Sequence, residues 1–477
     1  MSIYKPCDIR GQADTELTPE LYRSWGLTLG RQLEANSKFV VGGDVRASTP
    51  EFLAELVDGL CAAGLDVVDL GTLPTPMIYY AKRRLEAAGC AIVTASHNPA
   101  NINGLKWMLG ERPPTSEQVR LVEQEADGAG SGPERAGTTP RTLDVSFDYV
   151  AWLQETWVKA RALQRRIVLD PGHGCWAARA RRYLQAVFPR CLFSAIHDTP
   201  DAEFGGRIPD CSRPDLLEEL SDAVYHERAH LGIAFDGDGD RVAFVDNEGA
   251  ALTAEEATCV LLQSFGPRLE GQPFVYDQKF SDRIPETAAA LGATPLVERS
   301  GHTFLRGRML QSGAMFGAEI SGHYFFGALG GGDDGLFAAC RMIAHLARCK
   351  VTLADLRRTC PPVFMTPDLR VPVAANRCEQ VIEQVRSAWS EYPQTTIDGV
   401  RVSFPDGWAL VRNSVTESAF TFRFEATDWP RLVEMVHSFC DSLGDLGDQL
   451  WDEYEAAMVG TDECVSRRAE TTDEPGQ

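Results

Sequence analysis

Cys90-Ala91-Ile92-Val93-Thr94-Ala95-Ser96-His97-Asn98-Pro99 joins an apolar run to a polar hexapeptide. Residues 90–93 read as a short buried strand. The Ser96 hydroxyl then sits just past the carboxyl end of that strand, the edge where open α/β sheets bind ligands. His97 and Asn98 can donate hydrogen bonds to an oxyanion, and Pro99 stiffens the exit from the turn. Two readings follow: an ordinary polar βα loop, or a serine that carries a transferable phosphoryl group.

The residues upstream give that strand its setting. Thr18 is a good N-cap and Pro19 fits the first turn of a helix whose Leu21, Trp25, Leu29 and Leu33 recur at helical spacing. A strand follows at residues 39–41. Thr49 is expected to cap a second helix with Pro50 at its first position and Leu53, Leu56, Val57 and Leu60 on its apolar face. Residues 66–70 form another strand, and Pro74-Thr75-Pro76 is a turn before a third helix. The order β-α-β-α-β predicts a mostly parallel sheet with helices on its faces.

The chain has 477 residues, 44% hydrophobic and 24% charged, which supports several globular cores. A formal net charge of −22 argues against nucleic acid or an anionic membrane as partner, because both need a basic footprint. Thirteen cysteines without a CxxC pair suit free thiols in a reducing compartment. With no apolar leader and no run of 18 apolar residues, a cytoplasmic protein is expected.

Further α/β patterns follow. One begins with the strand at residues 166–170 and the turn Pro171-Gly172-His173-Gly174, and ends with strands at 231–235 and 242–245. Another starts near residue 252 and contains a strand at 274–277. A charged helix at about 115–126 lies in the loop-rich stretch before the second pattern. Near the C-terminus, Val400, Val402 and Phe404 alternate, as do Phe420, Phe422 and Phe424, the period of half-buried antiparallel strands. Pro405-Asp406-Gly407 marks a hairpin, and helices are expected at about 376–391 and 428–443. The boundaries that result are 1–145, 146–250 and 251–365 for three α/β domains, 366–459 for an α+β domain, and 460–477 for a disordered tail.

Asp236-Gly237-Asp238-Gly239-Asp240 carries the sharpest chemical signal. Three carboxylates this close repel one another, and alternating glycines let the backbone aim all three at one hard cation such as Mg²⁺. An EF-hand is excluded, because Arg241 stands where that loop needs glycine and Asn247 where it needs glutamate. His226-Glu227-Arg228-Ala229-His230 matches HExxH literally, but it precedes a buried strand and has no evident third ligand. Gly317-Ala318-Glu319-Ile320-Ser321-Gly322-His323 suits a polyol, with a carboxylate, a hydroxyl and an imidazole for sugar hydroxyls. Gly301-His302 stands at a loop-to-helix junction. Arg412-Asn413-Ser414-Val415-Thr416 offers a guanidinium and two hydroxyls to a phosphate.

In order along the chain, Asp8-Ile9-Arg10-Gly11, Thr94 to Pro99, Asp236 to Arg241, Glu319 to His323 and Gly407 to Glu425 resemble the motifs of the α-D-phosphohexomutase superfamily, in particular its bacterial phosphomannomutase/phosphoglucomutase branch. The resemblance implies three related α/β domains with mixed or parallel sheets, plus a C-terminal α+β domain, around a central cleft. It implies a phosphoserine at Ser96 and a Mg²⁺ held by Asp236, Asp238, Asp240 and the Ser96 phosphate. Glu319, Ser321 and His323 would bind sugar hydroxyls, and Arg412, Ser414 and Thr416 the phosphate that is not reacting. Arg10, His97, Lys106, Arg241, Lys279 and His302 would line the reacting end, with Lys106 and His302 as proton shuttles. The implied reaction interconverts hexose 1-phosphate and hexose 6-phosphate of mannose, glucose or both. A hexose 1,6-bisphosphate serves as intermediate and activator, and small sugar phosphates are the partners.

Four positions depart from the family pattern: Cys7 for tyrosine, Arg306 for lysine, Val415 for asparagine and Ser418 for proline. A lost hydrogen bond to a charged phosphate is worth about 1.5–3 kcal/mol, so the departures bear on substrate affinity more than on reaction type. Two other readings of the same residues are a serine/metal phosphatase and a non-catalytic sugar-phosphate binding protein.

Overall fold

The computed structural model describes residues 2–127, 137–373, 377–413 and 419–458. The expected tail, residues 460–477, lies outside the described residues. Two compact units make up the chain: Met1–Phe280 with Ile284–Cys360, and Ser281–Arg283 with Pro361–Gln477. No described helix is long and apolar enough to cross a membrane.

The first unit contains three α/β domains. In the first, the strands run in the order Ile9–Gln12, Ile102–Leu109, Gly89–Val93, Lys38–Gly43, Asp66–Thr72, Arg141–Thr142. The last four are parallel to one another, whereas Ile102–Leu109 pairs antiparallel with both of its neighbours. The Ser96 segment is therefore a ββ connection rather than the βα loop expected. The strand after it escaped notice because Asn103 and Lys106 interrupt its apolar run. Both side chains are buried and satisfied: Asn103 Nδ2 donates to Ser48 Oγ and Thr49 Oγ1, and Lys106 pairs with carboxylates of the second domain.

The two leading helices form where expected, with one change of cap. Thr18 Oγ1 accepts from Leu21 N at 3.3 Å and caps Pro19–Arg31. Thr49 is the first residue of Thr49–Ala62 instead of its N-cap, because its hydroxyl is drawn 2.8 Å from Asp44 Oδ1. The two helices touch backbone to backbone through glycines. A Cβ on Gly26 would stand 2.4 Å from Leu56 O, and one on Gly59 2.1 Å from Arg23 O.

The second domain's sheet runs Val242–Val245, Leu231–Phe235, Arg166–Asp170, Leu192–Ala195, with the first pair antiparallel and the rest parallel. The antiparallel pair brackets the aspartate loop. The helix Glu218–Glu227 ends at Arg228 in the left-handed conformation, and His230 accepts from Arg166 N beyond it. His226 and His230 therefore do not share a helix face, and the HExxH match is accidental. The third sheet runs Thr294–Glu298, Pro273–Asp277, Phe316–Ala318, Tyr324–Phe326, Gly332–Asp333, parallel at first and then antiparallel. One apolar cluster is shared by all three domains and includes Ile92, Tyr149, Trp176, Phe235, Phe316 and Phe337.

In the second unit an antiparallel sheet carries Val400–Phe404, Gly407–Asn413 and Ala419–Ala426 at its centre. Cys378–Ala388 and Trp429–Asp441 are the two helices expected there, and Asp428 caps the latter by accepting from Arg431 N. Asp445–Met458 adds a helix that no expectation covered. Phe420, Phe422, Phe424, Val400 and Val402 all turn into one core, as their alternation requires.

The helix crossing yields a stability test. Gly59→Ala drives a methyl into Arg23 backbone, and overpacking of this kind costs about 1–3 kcal/mol. Urea unfolding should show that loss, while Gly71→Ala, with nothing near its Cβ, pays only for its positive φ.

Candidate active site

The loop 236–240 is anchored by its own first residue. Asp236 Oδ1 accepts from Gly239 N at 2.9 Å and Arg241 N at 3.1 Å, so the backbone curls around one carboxylate. Gly239, at φ +79°, lies under the Trp176 indole, which donates to Gly239 O at 2.9 Å; a Cβ there would meet the ring nitrogen at 2.3 Å. Asp236, Asp238 and Asp240 are all buried, and each offers an oxygen within 4.8 Å of the others.

Ser96 reaches this loop from the first domain. Its Oγ donates to Asp236 Oδ2 at 2.8 Å, and His97 Nδ1 stands 3.4 Å from the same Oγ. Lys106 donates to Asp238 Oδ2 at 2.8 Å and Asp240 Oδ2 at 2.6 Å. Thr75, the first residue of the helix Thr75–Arg84, donates its hydroxyl to Asp238 Oδ2 at 2.7 Å and its N–H to Asp238 O at 2.9 Å. Asp238 Oδ1 and Asp240 Oδ1 remain buried without a hydrogen-bond partner. Three carboxylates on alternate residues, with two oxygens unsatisfied, fit a hard divalent cation.

Electrostatics follow from burial and neighbours. Burial, then the charges of Asp240 and Asp238, push the Asp236 carboxyl well above the usual range. Burial alone would strip the Lys106 proton, but Asp238 and Asp240 outweigh it and hold the ammonium charged well above the ordinary lysine value. Lys106 is therefore a charged hydrogen-bond donor to both carboxylates in this arrangement. His97 is pushed well below its usual value by burial and by Arg241 and Arg10. His302, at the start of the helix His302–Ser312, is pushed down to about 4 by burial and then by Lys106. Its imidazole is therefore neutral at neutral pH.

The loop 319–323 is a tight turn between Phe316–Ala318 and Tyr324–Phe326, closed by Glu319 N donating to His323 O at 2.9 Å and by Gly322 at φ +90°. Glu319 Oε2 and Ser321 Oγ are buried and unpartnered, and burial raises the Glu319 carboxyl. His323 is already engaged. Its Nδ1 lies 2.7 Å from Asp333 Oδ2, and Arg241 Nε donates to its Nε2 at 3.0 Å. Those partners require a neutral ring protonated at Nδ1.

Arg10 also lies here, donating to Asp8 Oδ2 at 2.9 Å and Asn98 Oδ1 at 3.0 Å. Lys279 N donates to Asp277 Oδ1, and the Lys279 charge acts on Glu319. Arg412 belongs to the second unit, on Gly407–Asn413, with Nε 2.7 Å from Asp398 Oδ2. Ser414, Val415, Thr416 and Ser418 lie outside the described residues. The structure adds Thr75, Trp176 and Asp333, which sequence reasoning missed. Only Asp333 had a usable signal, the acidic pair Asp333-Asp334 after three glycines.

Three family profiles match the chain: phosphoglucomutase/phosphomannomutase alpha/beta/alpha domain I over residues 2–129, domain II over 147–249 and domain III over 254–364. The phosphomannomutase/phosphoglucomutase of Pseudomonas aeruginosa is 31% identical over 93% of this chain and 95% of its own length. The phosphoglucomutase of Neisseria gonorrhoeae is 30% identical over 91% and 95%. A crystal structure of a phosphoglucomutase/phosphomannomutase family protein from Burkholderia thailandensis superposes with a TM-score of 0.85 at 29% identity, covering 93% of this chain and 97% of that one.

The depressed His302 value predicts a pH signature. Unfolded histidine binds a proton near pH 6.5, while folded His302 waits until about 4. Between those values the unfolded state holds more protons, so its contribution to stability is complete above pH 6.5 and is lost as pH falls through that window. NMR of the imidazole resonances, assigned with His302→Gln, should show a neutral ring from pH 8 down to about 5.

Proposed function

The chain belongs to the phosphoglucomutase/phosphomannomutase family, and from that premise we propose that it interconverts the 1- and 6-phosphates of mannose, glucose or both through a phosphoserine at Ser96. The observation that carries this reading is the Ser96 Oγ hydrogen bond to Asp236 beside two unpartnered carboxylate oxygens. A serine donating to the carboxylate loop is where a phosphate on that oxygen would share a divalent cation with the three aspartates.

Phosphoryl transfer needs charge neutralisation and in-line positioning more than covalent catalysis by the protein. Mg²⁺ held by Asp236, Asp238 and Asp240 would supply the first when bound. Lys106, Arg10 and Arg241 add cationic charge beside His97 and Ser96, and Lys279 adds it beside Glu319, in a chain of net charge −22. Glu319 and Ser321 offer their unsatisfied oxygens to sugar hydroxyls, and His323 stands beside them. Neutral His302 accepts the proton of the attacking hydroxyl as it takes the Ser96 phosphoryl group. Lys106 protonates the departing Ser96 Oγ in the same step; in the second transfer Lys106 takes that proton back from Ser96 Oγ and His302 returns its own to the departing sugar oxygen. The bisphosphate between the two transfers carries both groups, so the product is the positional isomer and no phosphate is lost. In the second unit, the Arg412 guanidinium, paired with Asp398, is the candidate for binding an anion.

Glucose 1-phosphate and mannose 1-phosphate, each with catalytic bisphosphate, Mg²⁺ and a coupled dehydrogenase, test this directly. Turnover of neither sugar would overturn it, and steady release of inorganic phosphate would assign a phosphatase instead. Ser96→Ala should abolish turnover and remove the single added phosphate seen by intact-mass analysis. Asp238→Asn should weaken Mg²⁺ activation by at least about tenfold, the loss of one charged ligand being worth roughly 1.5–3 kcal/mol.

A further inference from the structure

Arg46 takes no part in the site as described, yet it is 1% exposed and ends on the Ser96 segment. Its Nη2 donates to the carbonyl oxygens of Ser96 at 2.9 Å and Asn98 at 2.7 Å, and its Nη1 to that of Pro99 at 2.5 Å. Its Nε donates to Asp44 Oδ2 at 2.9 Å. The same Asp44 oxygen accepts from Thr94 Oγ1 at 2.7 Å, and Thr94 Oγ1 accepts from Ser96 N at 2.9 Å. Both the N–H and the C=O of Ser96 are thus tied to one buried ion pair.

The backbone gives that pair something to do. Ser96 has φ +53°, a left-handed conformation that is costly for a residue other than glycine and persists only where its surroundings over-determine it. The second domain closes on the same clamp. The Phe204 ring centroid lies 4.9 Å from the Arg46 guanidinium, and Gly237 of the metal loop packs so closely that a Cβ would come 2.7 Å from Ser96 O. Hydrophobic residues of similar volume can replace a buried ion pair whose only task is stability. They could not hold three loop carbonyls at once. Lysine could not either, because its three donors radiate from one atom whereas guanidinium donors fan out in a plane.

We propose that Arg46 is a positioning residue for phosphoryl transfer: its planar clamp on the carbonyls of Ser96, Asn98 and Pro99 fixes the direction of Ser96 Oγ toward the metal loop. This rests on reading Ser96 as the phosphate carrier. The side-chain hydrogen bonds of Arg46 go to Asp44 and to the carbonyls of Ser96, Asn98 and Pro99 and to none of Asp236, Asp238, Asp240, Glu319, Ser321 and His323, so the clamp acts on the transfer step and not on substrate binding.

The tests are Arg46→Lys and Thr94→Val, each checked for folding by circular dichroism and thermal melting. Misplacing a reacting group by about 1 Å costs about 100-fold in rate. Arg46→Lys should therefore lower kcat by about 100-fold with KM for glucose 1-phosphate or mannose 1-phosphate within about threefold of wild type. Thr94→Val, which removes one link, should lower kcat by about tenfold with the same constancy of KM. Loss of activity that only tracks the folded fraction, or that appears in KM, overturns the proposal, as does wild-type kcat in folded protein. If Arg46→Lys does not fold, Thr94→Val decides by the same criteria. Active Ser96→Ala would remove the underlying reading. Inactive Ser96→Ala beside wild-type-like Arg46→Lys and Thr94→Val would remove only the clamp.

Discussion

Three aspartates confined to five residues and buried are the constraint that the first unit is built to satisfy. Left alone, the carboxylates of Asp236, Asp238 and Asp240 would repel one another and open the loop to water. The structure answers from every side. Backbone N–H groups of Gly239 and Arg241 take one Asp236 oxygen, and Ser96 takes the other. Lys106 and Thr75 of the first domain take Asp238, and Lys106 also takes Asp240. Under the proposed function, the groups that compensate the charge are also the groups that phosphoryl chemistry would use, so folding and function would draw on one set of contacts.

Much of this was legible before any coordinates. The aspartate loop announces itself because carboxylates at that spacing have no use in a plain turn. The helix signals at Thr18 and Pro19, and the alternation of Phe420, Phe422 and Phe424, are local patterns with local causes. What stayed hidden has non-local causes. The strand Ile102–Leu109 reads as broken because its polar residues are satisfied by partners up to 134 positions away. Thr49 looked like a cap until Asp44 claimed its hydroxyl. Arg46 carries no sequence signal of its own, since nothing in the sequence says that its donors end on residues 96–99. Asp333 needed the third sheet to fold back before it could meet His323.

His323 joins the loop 319–323 to Arg241 at the end of the aspartate loop. Burial disfavours charging its ring, but Asp240 and Asp333 outweigh burial and raise its pKa above the ordinary histidine value. The Arg241 bond opposes that outcome, because Nε2 must keep a lone pair to accept from Nε. Charging His323 therefore breaks its bond to Arg241 and frees a guanidinium that also faces Asp210 at 3.6 Å and Asp236 at 3.9 Å. Asp333, His323 and Arg241 thus form one hydrogen-bonded chain, in which the proton on the His323 ring and the direction of the Arg241 guanidinium are coupled.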